Sequence, residues 1–254
     1  MAYPIAYQIY SSRNFPPLEA QLPELKGFGY DAIEPWLPAY EADDGKSFRR
    51  ALEASGLRCL GFHMPLAGLV GETQRFIDIA LTLGATWMIP PYVTPEERAG
   101  ADAEYWKRLG AKLARGAAAA GPHGLKVAWH NHDFEFQALP DGSRPIDHIL
   151  AEGGPEVWFE IDCGWIVRAG ADPAAELARF TDRIGVIQTK DMAPPGTTAD
   201  DGWAATGEGI IDWAALAPLF RQTAADHLVT EHDNPSNWRQ FAQRSINHLR
   251  GLGL

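Results

Sequence analysis

Four short apolar runs in the second half of the chain each end in side chains that can bind a metal ion or move a proton. They are Val127-Ala128-Trp129-His130-Asn131-His132, Val157-Trp158-Phe159-Glu160-Ile161-Asp162, Ile184-Gly185-Val186-Ile187-Gln188-Thr189-Lys190-Asp191 and Leu228-Val229-Thr230-Glu231-His232-Asp233. Each run is long enough for one buried strand. Catalytic groups gather at the strand C-termini of a closed parallel barrel, so the pattern predicts an enzyme with its site at a barrel mouth.

Strand parity selects one inward residue from each of these four runs. Side chains alternate in direction along a strand, so residues two apart share a face. The inward set at the predicted mouth is His130, Asp162, Gln188 and Glu231. A mixed shell of imidazole, carboxylate and amide groups suits a hard or borderline divalent ion such as Mn²⁺, Mg²⁺ or Co²⁺. An isolated strand-end Asp or Glu often serves only as a helix cap or ion-pair partner. Polar residues at the ends of four consecutive strands favour a functional site instead.

Five side chains are candidates for chemistry on a substrate: Glu231, His63, His132, Lys190 and Glu34. Glu231 is the predicted base, and one of the two histidines returns the proton or protonates a leaving group. Lys190 either holds a substrate oxyanion or another substrate oxygen, or forms a structural ion pair with Asp162 or Glu231. Glu34 and His63 end the second and third predicted strands, so they are expected on the opposite side of the mouth.

Composition limits the classes of partner. The chain has 254 residues and a formal net charge of -11, which makes nucleic acid a poor partner. No apolar run reaches membrane-spanning length, and because Met1-Ala2-Tyr3-Pro4 has no basic start and no long apolar stretch, no signal peptide is expected. Cys59 and Cys163 both fall inside predicted strands, where buried thiols in a reducing cytoplasm are expected. A small-molecule partner is therefore favoured, and the oligomeric state stays open.

Strand-like and helix-like segments alternate from end to end. Predicted strands cover 5–9, 32–34, 58–63, 87–90, 127–130, 157–162, 184–189 and 228–231. Predicted helices cover 18–27, 47–55, 72–83, 102–120, 146–151, 173–179, 213–222 and 237–249, with Asp172 and Asp212 as N-caps. Eight such units predict an α/β fold, a single (β/α)₈ TIM barrel domain over residues 1–254. The alternative, an open doubly wound sheet, usually has a glycine-rich loop after its first strand, and residues 10–14 contain none.

The longest irregular stretch, residues 192–211, follows a strand near the predicted mouth. It is either a lid or substrate-binding loop, or a passive surface loop. Trp36, Trp165 and Trp203 could stack on a sugar ring, although core packing accounts for most of the nine tryptophans. No glycine-rich cradle or arginine cluster follows the strands, so a phosphorylated substrate is not supported.

Four longer motifs indicate a resemblance to a known family. They are Trp129-His130-Asn131-His132-Asp133-Phe134-Glu135-Phe136, Gln188-Thr189-Lys190-Asp191-Met192, Gly207-Glu208-Gly209-Ile210-Ile211-Asp212 and Thr230-Glu231-His232-Asp233. With them the chain resembles the sugar phosphate isomerase/epimerase family, also described as xylose isomerase-like TIM barrels. The resemblance implies a divalent ion at the mouth, held by a carboxylate from strand five, Asp from strand six, His from strand seven and Glu from strand eight.

The chain keeps two of these implied ligands, Asp162 and Glu231, and departs at two positions. Strand five offers His130 where many members have Glu, and strand seven offers Gln188 where His usually precedes Lys-Asp. The second departure implies a weaker site, a different ion or loss of the metal. Glu160 is close enough in sequence to supply a replacement ligand. The cofactor expected from the resemblance is thus Mn, Co, Mg or Zn.

The resemblance implies a metal-dependent isomerase, epimerase or lyase that acts on a keto-sugar, keto-glycoside or cyclitol through an enediolate-type intermediate. Two other classes remain open. A metal-free sugar-binding protein with a degenerate site is suggested by Gln188. A hydrolase like the abasic-site endonucleases shares the fold, but the charge of -11 and Gln188 argue against it.

Overall fold

Short parallel strands close into a barrel in the computed structural model, which describes residues 2–254. Met1, the first residue of the predicted domain 1–254, lies outside the described residues. In chain order the strands are β1 (Ile5–Gln8), β2 (Ala32–Glu34), β3 (Arg58–Cys59), β4 (Gly61–His63), β5 (Trp87–Ile89), β6 (Lys126–His130), β7 (Val157–Asp162), β8 (Ile184–Gln188), β9 (Asp191–Met192), β10 (Trp203–Ala204) and β11 (His227–Thr230). The barrel runs in the order β3-β2-β1-β11-β8-β7-β6-β5-β4, while β9 and β10 form a separate antiparallel pair.

The predicted third strand is divided in two. Its first part, β3, pairs with β2, and its second part, β4, pairs with β5, with Leu60 between them. The backbone N–H of His63 also donates to the carbonyl of Pro35 at 2.8 Å, across the same seam. The two halves therefore close the ring together, and the predicted eight-unit parallel barrel is confirmed with one strand broken.

Ten helices of the described chain surround the strands. They are α1 (Leu22–Phe28), α2 (Lys46–Ser55), α3 (Leu66–Gly71), α4 (Thr73–Leu83), α5 (Ala103–Ala120), α6 (Pro145–Gly153), α7 (Cys163–Arg168), α8 (Pro173–Arg179), α9 (Trp213–Phe220) and α10 (Trp238–Gly251). Asp172 and Asp212 accept hydrogen bonds from the first turns of α8 and α9, as the sequence predicted. None of these helices is long and apolar enough to cross a membrane.

The barrel interior is filled below the mouth, so the site residues above it rest on a packed floor. The apolar side chains that meet inside are Ala6, Ala32, Trp87, Ile89, Ala128, Val186 and Val229. Trp87 begins β5 at the amino end of the barrel, and its indole Nε1 donates to the carboxylate of Asp226 at 3.1 Å. Gly185 faces this ring, and a Cβ there would overlap it. Interior packing of this kind leaves no channel through the barrel.

Two sequence predictions need correction. Cys163 was expected in a strand, but it is the first residue of α7, because the Asp162 side chain caps that helix by accepting from the N–H of Trp165 at 2.9 Å. Cys59 does lie in a strand, and both cysteines are buried and free. The stretch 192–211 was expected to be irregular, yet β10 lies within it and pairs with β9.

Asp191 holds this stretch against the barrel. Its buried carboxylate accepts hydrogen bonds from the N–H groups of Gly207, Gly209 and Ile211 and from the indole of Trp213, at 2.7 to 3.2 Å. Burial raises the pKa of Asp191, and these four donors oppose that rise. One carboxylate thus replaces the regular secondary structure that residues 205–211 lack.

Replacing Asp191 with Ala should lower the free energy of unfolding by roughly 2–6 kcal/mol, because the two buried donors, the N–H of Ile211 and the indole of Trp213, each cost roughly 1–3 kcal/mol when left unpaired. Urea unfolding followed by tryptophan fluorescence measures the change. Glu208→Ala is the control in the same segment: its carboxylate pairs with Arg244 at the surface, so its removal should cost less than about 1 kcal/mol. Equal effects of the two substitutions would refute the role of Asp191.

Candidate active site

The carboxyl ends of β6, β7, β8 and β11 bring the predicted polar residues together. Strand pairing aligns His130 of β6 with Glu160 of β7, and Asp162 of β7 with Gln188 of β8. Asn131 fixes the end of β7, because its amide oxygen accepts from the N–H of Asp162 at 2.9 Å and its amide nitrogen donates to the carbonyl of Asp162 at 3.3 Å. The side chains at these strand ends are thereby held on a rigid frame.

Three of the four predicted metal ligands converge on one point. Ligand atoms of His130, Asp162 and Glu231 all lie within 4.8 Å of one another, and all three side chains are buried. Gln188 lies between the two carboxylates: one terminal atom of its amide is 3.0 Å from Asp162 Oδ2 and in contact with Glu231 Oε2. The four residues together offer an imidazole nitrogen and three oxygens.

The electrostatics of this group fit a divalent cation. Burial lowers the pKa of His130 well below its usual value, so its imidazole is neutral and has a lone pair to donate. Burial raises the pKa of Asp162 to about 8, and the charge of nearby Glu231 adds to the rise. Burial likewise raises the pKa of Glu231, against the opposing charge of Lys190. A cation among these groups would relieve the cost of placing two carboxylates in a buried site.

Beneath this group lies a second cluster around Glu160. Its Oε2 is 2.9 Å from Nε2 of His63 and 3.1 Å from Nδ1 of His130. The same His63 nitrogen is 3.2 Å from Glu34 Oε1, which also accepts from the amide of Gln8 at 3.0 Å. Gly61 leaves room for Glu34, since a Cβ at that position would be 2.9 Å from its Oε2. Glu160 therefore contacts His130 from below and belongs to a different group from Asp162 and Glu231.

The lower cluster is formed by Glu34, His63 and Glu160. The pKa values of its two carboxyl groups are shifted in opposite directions. Burial and then the charge of Glu34 raise the pKa of Glu160 well above its usual value. Burial also acts to raise the pKa of Glu34, but His63 outweighs it and the pKa falls below the usual value. For His63, burial acts to lower the pKa, but Glu34 and Glu160 raise it well above 6.5. These directions favour an imidazolium at His63, an ionised Glu34 and a protonated Glu160.

The positive charge of Lys190 is compensated by neighbouring carboxylates. Its fully buried ammonium lies 2.5 Å from Asp233 Oδ1 and 3.7 Å from Glu231 Oε2. It also lies over the rings of Trp165 and Trp203, at 4.8 and 4.6 Å from their centroids. Burial acts to lower the pKa of Lys190, yet Asp233 and Glu231 raise it overall. Of its two predicted roles, the geometry therefore favours the ion pair, with Asp233 as the closer partner.

A cavity of about 470 Å³ opens directly above these groups. Its wall is largely aromatic and histidine, and its floor is acidic; the lining residues are Tyr10, Trp36, His63, Pro91, Tyr92, His130, His132, Trp165, Glu231 and Asp233. No lysine or arginine of the described chain lines it. Apolar ring faces combined with a few convergent polar groups are typical of small-molecule sites, and sugar rings have matching C–H faces.

His132 belongs to the aromatic wall. Its ring lies 4.9 Å from those of Tyr92 and Trp165, and parallel to Phe134 at 5.7 Å. Burial and then Lys190 lower its pKa to about 3, so the imidazole is neutral at physiological pH. A neutral ring can donate or accept a hydrogen bond, but it carries no excess proton. Of the two predicted proton-donating histidines, only His63 has a raised pKa.

The structure brings the predicted strand-end residues together but places them at different depths. Glu34 and Lys190 are fully buried beneath the cavity and do not line it. Trp36 and Trp165 do line it, whereas Trp203 packs behind Trp165 at 4.7 Å. The missed residues are Gln8, Tyr10, Tyr92 and Asp233. Gln8 could have been found by the rule used for the other strands, because it ends β1.

A family model described as the xylose isomerase-like TIM barrel matches residues 22–252 of the chain. This match confirms the resemblance drawn from the sequence motifs. Comparison with curated proteins gave no match.

Solved structures share the fold. A sugar phosphate isomerase/epimerase from Parabacteroides distasonis has a TM-score of 0.80 and 17% identity over 98% of this chain and 93% of its own. A xylose isomerase-like TIM barrel protein from Mycobacterium smegmatis, in complex with magnesium, has a TM-score of 0.75 and 17% identity over 98% and 96%. The 3-keto-D-glucoside 4-epimerase from E. coli has a TM-score of 0.72 and 16% identity over 98% and 99%.

The unequal charges in the lower cluster generate a prediction for His63. Replacing Glu34 with Gln should lower the pKa of His63 more than replacing Glu160 with Gln, because Glu34 is ionised and Glu160 keeps its proton. Histidine side-chain NMR spectra recorded across a pH titration measure both shifts. Glu135→Gln is the control, since that buried carboxylate contacts Trp129 and His132 instead. An equal or larger effect of Glu160→Gln would contradict the assigned protonation.

Proposed function

The chain belongs to the xylose isomerase-like TIM barrel family, and we propose that it is a metal-dependent isomerase, epimerase or lyase acting on a keto-sugar, keto-glycoside or cyclitol. One observation carries the proposal: ligand atoms of His130, Asp162 and Glu231 converge within 4.8 Å, at the floor of an aromatic cavity of about 470 Å³. This combination supports chemistry on a sugar better than simple sugar binding, which needs no converging buried carboxylates.

In this proposal His130, Asp162, Gln188 and Glu231 hold the divalent ion. When bound, such an ion polarises a substrate carbonyl and stabilises the negative charge that develops on its oxygen. The carboxyl group of Glu160 lies 3.1 Å from Nδ1 of His130, where it would hold the imidazole ring of that ligand in place. The proposed ion is Mg, Mn, Co or Zn, because the donor set combines oxygen and imidazole.

Glu231 is the proposed base. Its carboxylate lines the cavity, where it could take a proton from the carbon beside a carbonyl. His63 also lines the cavity and carries the proton that Glu34 and Glu160 stabilise, so it is the proposed acid. Proton return to the opposite face gives epimerisation, return to the next carbon gives isomerisation, and loss of a β-oxygen gives elimination.

The proposed substrate is uncharged. Glu231 and Asp233 face the cavity, while Lys190 is paired with Asp233 beneath it. A phosphate in this cavity would meet these carboxylates, and no lysine or arginine of the described chain lines the cavity to bind it. Trp36, Tyr92 and Trp165 instead offer ring faces for the C–H surface of a sugar.

A second candidate is a metal-free sugar-binding protein. The observation that favours it is the Gln188 amide, whose nitrogen, when turned toward Asp162 and Glu231, donates to both carboxylates. That arrangement partly compensates the acidic group without a metal ion. The two candidates differ in whether the purified protein retains a divalent ion.

Protein purified without chelator or nickel resin should contain near-stoichiometric Mg, Mn, Co or Zn by elemental analysis. An Asp162→Ala/Glu231→Ala variant should contain little, because it loses two of the three converging carboxylate and imidazole ligands. An Asp43→Ala/Glu53→Ala variant removes the same two residue types from the surface and should keep its metal. If neither native protein nor reconstituted protein binds a divalent ion, the metal-free candidate replaces the proposal.

Replacing Glu231 with Gln should slow proton exchange between heavy water and a keto-sugar by about 10²- to 10⁴-fold, since general-base catalysis contributes roughly that factor. The amide keeps the shape and one oxygen ligand but cannot accept the proton. A panel of uncharged 3-keto-glycosides, ketohexoses and keto-inositols, followed by NMR, provides the measurement. Glu208→Gln, on the exposed segment that follows β10, is the matched control. Unchanged exchange in Glu231→Gln would exclude it as the base.

A further inference from the structure

Gln188 is a buried side chain with charged groups on both sides of its amide. One terminal atom faces Asp162 Oδ2 and Glu231 Oε2. The other is 3.4 Å from Glu34 Oε1. An amide can present either an acceptor or a donor to a given neighbour by half a turn about one bond. Its oxygen and nitrogen have nearly the same size, so packing does not choose between the two orientations and the neighbouring charges do.

Each orientation of the Gln188 amide suits the barrel mouth in a different state, one with a cation bound and one without. When the amide oxygen faces the two carboxylates it has only acceptors around it and the nitrogen faces Glu34, whereas the reverse orientation gives both carboxylates a donor. Three oxygens directed at one point repel one another unless a cation lies among them. After rotation, the nitrogen donates to Asp162 Oδ2 at 3.0 Å and also to Glu231 Oε2. Two N–H groups then take the place of a cation between the same carboxylates.

We propose that Gln188 is a two-state ligand that sets the ion preference of this site. With a divalent cation bound, it presents its oxygen to the cation alongside His130, Asp162 and Glu231. Without a cation, it presents its nitrogen to the two carboxylates and keeps the ligands in place. This inference rests on the proposed metal site and concerns one residue of it.

The choice of Gln over His favours ions that prefer oxygen. An amide oxygen is a hard, neutral donor suited to Mg²⁺ and Mn²⁺, whereas an imidazole suits Zn²⁺ and Co²⁺. With Gln188 the donor set has three oxygens and one nitrogen, and Gln188→His makes it two of each. The residue therefore shifts selectivity between two groups of ions.

Rotation of the amide also reaches the lower cluster. Glu34 Oε1 lies within 3.0 to 3.4 Å of nitrogens of Gln8, His63 and Gln188 when the oxygen of Gln188 faces the cation site. After rotation Glu34 loses the most distant of these three nitrogens and faces an amide oxygen instead. The cation site and the Glu34–His63 pair are thus linked through one side chain.

The first test compares metal affinities of native protein with Gln188→His, Gln188→Glu and Gln188→Leu. Calorimetric titration of chelator-treated protein with MgCl₂, MnCl₂ or ZnCl₂ gives the dissociation constants. We expect Gln188→His to raise the Zn²⁺ preference over Mn²⁺ by about tenfold or more, and Gln188→Leu to weaken binding of all three ions. Unchanged selectivity in Gln188→His would overturn the inference.

Gln188→Glu separates the two states because it keeps the oxygen and lacks the N–H groups. Without metal, three carboxylates then meet, so its Tm should fall below that of native protein. With Mg²⁺ or Mn²⁺, its Tm should rise by more than that of native protein. An unchanged metal-free Tm would show that the amide nitrogen does not serve the carboxylates, and the two-state role would be rejected.

The rotation itself is visible in the side-chain amide NMR signals of Gln188, which are identified by their loss in Gln188→Leu. Saturation with diamagnetic Mg²⁺ should shift both proton resonances, because the nitrogen exchanges two carboxylates for Glu34. Signals that do not move while Mg²⁺ binds would reject the rotation and leave the proposed metal site intact. Absence of binding by any of the three ions would instead reject the metal site.

Discussion

The structure depends on neutralising acidic side chains that the barrel buries at its mouth. Burying a carboxylate without a partner is costly, and the carboxyl ends of these strands bring several within a few ångströms. Three different partners are used. His63 serves Glu34, Lys190 serves Asp233, and the Gln188 amide lies between the carboxylates of Asp162 and Glu231.

The mouth has two levels with different chemistry. The upper level, around Asp162 and Glu231, borders the cavity and supplies the proposed metal site and base. The lower level, around Glu34 and Glu160, is buried, and His63, which contacts both carboxyl groups, reaches the cavity wall. Since the levels share contacts through His130 and Gln188, a change in one is transmitted to the other by direct packing.

The same residues that could perform chemistry also fix the backbone. Asp162 caps α7 with one carboxylate oxygen, while its backbone N–H and carbonyl are held by Asn131. Asp191, one residue beyond Lys190, anchors the segment that contains Gly207 and Gly209. Strand ends held in this way leave side chains little freedom, which is the preorganisation that catalysis by fixed charges requires.

The cavity above the mouth complements this arrangement. Tyr10 stacks edge-on against Trp36 at 5.7 Å, and Tyr92 against His132 at 4.9 Å, on the two sides of the opening. Two cations beside it are already engaged: Arg13 lies over the Tyr10 ring, and Lys190 is paired with Asp233. An uncharged ring bound here would exchange water for aromatic faces without competing for those ion pairs.

The sequence alone determined the barrel and the inward set of strand-end residues, because both follow from short-range periodicity. Alternation of strand and helix fixed the fold, and the two-residue repeat placed His130, Asp162, Gln188 and Glu231 on one face. Only the tertiary structure decided depth and pairing. Glu160 shares its face with Asp162 but lies one layer below, and Lys190 pairs with Asp233. Those contacts join different strands, and the distance between two strand-end side chains depends on barrel curvature that no local pattern encodes.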